Sequence, residues 1–253
     1  MEYVEIEDAM DLPGLRLVLT AGVPGPWGES AKAIFHVKGI AYTPVRQQAG
    51  EESEALLRWT GQNGAPAAMY ERERPRTGWA DILLLAERLA PLPRLVPSDP
   101  ALRASMFGLS YELCGEEGLG WSRRLMIFDA FMRDKPIDPS DRLAWKYGYS
   151  PAAADVAVER VRAITSLFAE KLREQRSRGS RFLVGAELTA VDLYWAAFAT
   201  MLVPLPPEQC PIPEFMRPLY ELSRHPSGLS CDPVLIEHRD FIVETYLPLP
   251  MDF

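Results

Sequence analysis

Leu15 to Thr20 (Leu-Arg-Leu-Val-Leu-Thr) is a short apolar and β-branched run between Pro13-Gly14 and Ala21-Gly22, and it reads as a buried strand. After a Gly/Pro loop, Ala31, Ile34, Phe35 and Val37 recur near helical spacing across Trp27 to Lys38. Pro26 suits the first turn of that helix and Gly39 its stop. Tyr42 to Arg46 is a second strand candidate. Glu51 to Trp59 reads as a helix with Leu56 and Leu57 inward, closed by the Gly61-Gln62-Asn63-Gly64 turn cluster. Ala67 to Tyr70 is a third strand candidate and Asp81 to Leu89 a helix. This alternation predicts a small α/β unit with a mixed sheet over residues 1–90.

Pro91, Pro93, Pro97 and Pro100 forbid helix through the next stretch, so residues 91–100 are expected to form an extended linker. Over residues 101–253 the character changes. Asp99 to Cys114, Trp121 to Met132, Pro151 to Arg176, Thr189 to Met201 and Pro233 to Tyr246 all carry helical periodicity. The third is clearest: Val158, Val161, Ile164, Phe168 and Leu172 make one stripe, while Glu159, Arg162, Glu170 and Lys171 lie off it. The back of the chain is therefore expected to be an all-α bundle.

Composition narrows the function classes. The 253 residues are 47% hydrophobic and 25% charged, an ordinary globular balance that argues against disorder. A net charge of -8 repels phosphate backbones and anionic membranes, so nucleic acid is not an expected partner. Met1 to Asp11 is acidic where a secretory signal would be basic and then apolar. No run reaches the roughly 18 apolar residues of a membrane span. A cytoplasmic location without a membrane partner is the expectation. Cys114, Cys210 and Cys231 are scattered and odd in number, and His36, His225 and His238 form no paired motif, so neither a disulfide framework nor a metal site is expected.

Three local features sharpen the picture. Ala65-Pro66 precedes the third strand. Ser30 to Ile40 is a helix closed by Lys38-Gly39-Ile40. Gly185-Ala-Glu-Leu-Thr189-Ala-Val-Asp192 opens the most apolar helix, with Thr189 as N-cap and Asp192 placed to reach back to the Thr189 amide. With the α/β unit, proline linker and helical bundle in that order, the chain resembles the glutathione transferase superfamily. The resemblance covers roughly Leu15 to Tyr246 and implies a thioredoxin-like first domain, a helical second domain and a homodimer. Ala65-Pro66 then corresponds to the family's cis-proline, whose preceding residue binds the cysteine part of glutathione.

The same resemblance implies that the start of the first main helix faces the glutathione sulfur, with a Ser, Cys or Tyr beside it. Counting back fourteen residues from Gly39 puts the Ser/Cys position at Gly25; the Tyr position falls near Ala21, with Thr20 alongside. Glycine has no side chain to offer. The amides of Trp27 and Gly28, after Pro26, are then expected to hold the thiolate, with Thr20 and Ser30 as the nearest hydroxyls; loss of glutathione activation is the other reading. For the γ-glutamyl end the family's acidic-or-Gln/Ser pair is replaced here by Arg76, Thr77 and Asp81, with Asn63 near the cis-proline. Thr77 either binds ligand or merely caps a helix. For a second, apolar substrate the resemblance points to Met106, Phe107, Tyr111, Trp121 and Arg124, the arginine suited to a carboxylate. An aromatic stripe on a helix also serves as ordinary core.

Two function classes follow. One is a glutathione-dependent transferase or lyase acting on a small apolar electrophile, aromatic ones included, with glutathione as co-substrate. The other is a non-catalytic protein of the same fold that binds ligands or partners, favoured by the glycine at position 25. Thiol-disulfide exchange by the chain's own cysteines is disfavoured, because none lies in the first domain.

Overall fold

The computed structural model describes residues 1–136, 138 and 140–253. It forms two compact units: Met1–Leu95 with Pro206–Ile212 and Tyr246–Phe253, and Val96–Leu205 with Pro213–Thr245.

The first unit is built on three strands, β1 (Leu15–Thr20), β2 (Thr43–Gln47) and β3 (Ala67–Tyr70), in the order β2-β1-β3. Strands β1 and β2 run parallel with Thr20 opposite Gln47, and β1 and β3 run antiparallel with Val18 opposite Ala67. Five of the six β1 residues are buried, because both faces of this central strand are covered; four of them are apolar and the fifth, Arg16, donates to Glu71 O at 2.8 Å. One face presents Val18, Val45, Ala67 and Met69 to a core shared with Ala9 and Leu56. Ala9 closes the short helix α1 (Ile6–Ala9), which has no periodicity to betray it, and Leu56 belongs to α3 (Glu54–Thr60). The helices α2 (Pro26–Val37) and α4 (Trp79–Leu89) pack on each other. Gly28 of α2 lies so close to β1 that a β-carbon there would stand 3.2 Å from Leu19 Cδ2.

Helix α3 starts three residues later than its composition suggests, because Ser53 is the cap: its hydroxyl accepts from the Leu56 amide at 3.1 Å. It ends at Gly61, whose φ of 80° is the left-handed stop that glycine adopts at low cost. Single bridges guard both sheet edges, Val4 beside Val45 and Ala68 beside Arg76, and Pro75 cannot donate to extend the second. After α4 the chain is fixed by Lys38, whose buried ammonium donates to Ala90 O and Pro93 O, each at 2.8 Å, and pairs with Glu87. The C-terminal tail returns to the same unit, with the Met251 amide donating to Gln209 O at 2.7 Å.

The second unit is helical: α5 (Pro100–Cys114), α6 (Leu119–Met132), α7 (Arg142–Lys146), α8 (Pro151–Ser177), α9 (Ala190–Phe198), α10 (Arg217–Tyr220) and α11 (Pro233–Tyr246). Helix α5 is separated from α6 by Gly115 and Gly118, where a β-carbon would press to 2.8 Å on the carbonyls of Tyr111 and Glu112. Helix α6 packs on α8 and α5 on α9. The α8 stripe faces inward as expected, though Val158 is only half-buried. All nine residues of α9 are buried, and the expected helix to Met201 finishes as a tighter 3-10 turn over Ala199–Met201. The capping box at its start forms: Asp192 accepts from the Thr189 amide and hydroxyl, each at 2.9 Å. Among the described residues, no helix is long and apolar enough to cross a membrane.

Candidate functional site

Strand directions gather the candidates of the first unit at one end of its sheet. Parallel β1 and β2 both finish there, at Thr20 and Gln47, and antiparallel β3 starts there at Ala67. The Ala65–Pro66 peptide, which is cis, stands immediately before that start. From Thr20 a five-residue loop leads into α2, and the Ala68–Arg76 bridge brings the chain back beside β3 just before α4 begins. Thr20, the first turn of α2, Ala65-Pro66 and the start of α4 therefore converge without being near in sequence.

Gly25 is the N-cap of α2, and its backbone (φ -66°, ψ 117°) is one that any residue can adopt. A β-carbon there would meet nothing within 4 Å, so neither strain nor crowding requires glycine at this position. Buried Pro26 has no N–H, and the first bond of the helical ladder runs from the Glu29 amide to Gly25 O at 2.9 Å. The amides of Trp27 and Gly28 precede that bond, at the positive end of the helix dipole.

The two candidate hydroxyls are engaged. Thr20 Oγ1 donates to Gln47 Oε1 at 2.8 Å, and Ser30, buried inside α2, donates to Trp27 O at 3.0 Å. Glu29 was not singled out by the sequence, yet it sits in the first turn of α2, largely buried, with Lys32 Nζ at 2.9 Å from both its oxygens. Burial raises its pKa, against the opposing pull of Lys32.

Asn63 Oδ1 accepts from the Ser53 amide at 3.0 Å, so that side chain fastens the loop to the start of α3. Arg76 turns its guanidinium to Glu73 at 2.8 Å, and Glu73 also holds Arg88 at 2.6 Å. The N-cap of α4 is Gly78, without a side-chain cap bond, so Thr77 does not cap this helix and stands exposed just before it. Asp81 lies in the first turn of α4 and pairs with Arg74 at 3.3 Å.

In the second unit, Met106 is fully buried in the core, Phe107 lies under the Arg103 guanidinium at 4.8 Å, and Tyr111 is largely exposed. Trp121 and Arg124 come together about Tyr147. The Trp121 indole donates to Tyr147 O at 3.1 Å with ring centroids 4.6 Å apart, and the Tyr147 hydroxyl lies close enough to Arg124 to influence it. Tyr220 also belongs to this group and was missed, since nothing in the pattern around it predicts that α10 returns to α6. Glu112 is ion-paired with Arg160 at 2.6 Å. Among the described residues, no group of three or more His, Cys, Asp or Glu is arranged to hold a metal ion.

No family model matches the sequence, and no curated protein does. Solved structures do match the fold. A glutathione S-transferase from Methylobacterium radiotolerans, in complex with glutathione sulfonate, superposes with a TM-score of 0.61 at 16% identity, over 94% of this chain and 97% of that one. Ure2p in complex with glutathione gives 0.61 at 14% identity, over 90% and 98%. A glutathione transferase homolog from Lodderomyces elongisporus, with two GSH per subunit, gives 0.58 at 15% identity, over 91% and 99%.

Proposed function

From the glutathione transferase fold of this chain as premise, we propose that its first unit binds glutathione as co-substrate and that the protein transfers or eliminates with it at a small apolar electrophile, aromatic ones included. The supporting observation is the convergence at one sheet end of cis-Ala65-Pro66, the first turn of α2 and the start of α4. Ala65 offers its backbone to the cysteine part of the ligand. Arg76, Thr77 and Asp81, with Asn63 at the neighbouring loop, border the γ-glutamyl end.

In this reading the thiolate is held by the amides of Trp27 and Gly28 and by the dipole of α2. An ordinary thiol has a pKa of ~8.5, so partial positive charge at the sulfur is what favours the ionised nucleophile at neutral pH. The thiolate attacks the electrophilic carbon of the second substrate, and the leaving group departs with the bonding pair. The active species is a homodimer, for which light scattering is the direct check.

A second reading is favoured by one observation: Gly25 lacks a side chain although its position would accept one, and both nearby hydroxyls are already engaged. In that case the protein binds ligand without turnover. Calorimetric titration with glutathione, followed by a screen of aryl halides with and without it, separates the two. Binding with glutathione-dependent loss of the halide supports the transferase; binding without turnover, or no binding of glutathione at all, contradicts it and favours the non-catalytic reading.

A further inference from the structure

Among the described residues, the second unit holds a cluster of positive charge, Arg123, Arg124 and Lys146, that no carboxylate pairs with. Arg123 and Arg124 are consecutive on α6. Arg123 is buried and uses its guanidinium on main-chain carbonyls, donating from Nε to Met201 O and from Nη2 to Leu219 O, each at 2.9 Å. Burial pushes its pKa down to about 10, and the charge of Arg124 adds to the effect. Lys146, at the end of α7, keeps an exposed side chain, yet its pKa is lowered by partial desolvation of the ammonium and then by Arg124. The acid of this region, Asp129, is committed to Arg133 at 2.8 Å and to the Tyr149 hydroxyl at 3.0 Å. Arg124 forms no ion pair among the described residues; burial acts against its charge, the Tyr220 and Tyr147 hydroxyls favour it, and its own charge acts on Arg123 and Lys146.

Tyr220 has no exposed surface, and its hydroxyl is buried without a hydrogen-bond partner of acceptable geometry, although it lies close enough to Arg124 to influence it. A buried hydroxyl left unsatisfied is a standing cost that a ligand oxygen would relieve. Arg124 itself is only half-buried and Lys146 is exposed, so the cluster is open to solvent on one side. Tyr147, whose hydroxyl acts on Arg124, belongs to an aromatic group: its ring lies 4.6 Å from Trp121 and 5.8 Å from Phe128, centroid to centroid. Burial raises the Tyr147 pKa further above neutral pH, so its phenol is uncharged.

We propose that Arg124, Tyr147 and Tyr220 form a receptor for a carboxylate, and that Trp121 and Phe128 hold the flat ring that carries it, so the ligand is an aromatic carboxylic acid. The planar guanidinium matches the two carboxylate oxygens, the phenols add neutral donors, and the rings take the apolar body. The receptor lies wholly within the second unit. That its ligand is the second substrate rests on the transferase reading; the receptor itself does not.

The test is calorimetry with benzoate on the full chain in the absence of glutathione, with benzyl alcohol as the uncharged probe. Benzoate is expected to bind and benzyl alcohol not. Tyr220→Phe is expected to weaken benzoate by about tenfold, the loss of one charge-assisted hydrogen bond. Without anion its melting temperature is expected to stay level or rise, because the variant removes only an unsatisfied hydroxyl. Arg124→Leu is expected to abolish binding and Arg124→Lys to restore part of it. Equal behaviour of benzoate and benzyl alcohol, or a Tyr220→Phe protein that melts lower and binds benzoate as before, overturns the receptor. Glutathione affinity of Tyr220→Phe, measured separately, is expected to be unchanged. A protein that binds benzoate but not glutathione leaves the receptor standing and removes only the transferase reading.

Discussion

Thr20 and Gln47 stand opposite each other at the ends of parallel strands β1 and β2, and the Thr20 hydroxyl donates to Gln47 Oε1 at 2.8 Å. Its proton is therefore already placed within the sheet. Thr20→Ala should cost about 1 kcal/mol of stability through the amide oxygen left unpaired. Ser30→Ala should cost less, since the hydroxyl only back-bonds to Trp27 O within α2. Neither change should alter glutathione turnover more than about twofold, a barrier change well under 1 kcal/mol. A loss of a hundredfold or more in either variant would return activation to a side chain.

Asp192 has a different task. Its buried carboxylate accepts from the Leu183 amide at 2.8 Å, from Thr189 through amide and hydroxyl, and from His238 Nε2 at 3.0 Å. Asp192→Ala orphans these donors together and is expected to cost about 3–5 kcal/mol in urea denaturation. Asp192→Asn, which keeps an acceptor, should cost less than half of that. Equal losses would mean that the charge rather than the hydrogen bonding matters.

The three cysteines bear on the thiol-exchange alternative. Cys114 and Cys210 are buried; burial raises the Cys114 thiol well above its ordinary pKa and pushes Cys231 up to about 12. Native protein should therefore react with a disulfide reagent far more slowly than free cysteine at neutral pH, and all three thiols should appear on denaturation. A thiol that reacts in the native state as fast as free cysteine would contradict this.

Glu29 gives a pH signature. Burial raises its carboxyl pKa in the folded protein, so between the ordinary carboxyl value and that raised value the folded chain binds a proton that the unfolded chain does not. Its contribution to stability is full below the unfolded value and is lost as pH rises through the folded one. Glu29→Gln, which cannot ionise, should gain stability relative to the parent as pH goes from acid to neutral. A difference independent of pH in paired denaturation curves would show that Lys32 fully offsets the burial.

Much of the fold was legible because its elements are marked by strong local signals. The apolar runs at Leu15–Thr20 and Ala67–Tyr70 stand between turn formers, and Pro26 and Gly39 bracket α2. Helices α1, α7 and α10 were not legible: each has four or five residues, too few to show a period. The site was legible in its backbone parts, because a proline and a glycine announce themselves by type. Side-chain commitments were not. Nothing local says that Ser30 turns inward, that Lys38 fastens the segment after α4, or that Tyr220 comes to rest beside Arg124, since each depends on contacts set by packing.

The central claim, that the start of α2 holds a thiolate without side-chain help, is tested most directly by ultraviolet difference absorbance of glutathione bound at neutral pH, in the parent and in Gly25→Ser. Serine fits the open backbone and space at this position, so the variant should fold with unchanged or slightly higher stability. The account predicts a thiolate band in the parent and a stronger one in the variant. Bound glutathione that stays a thiol in the parent, and ionises only when serine is present, would contradict it.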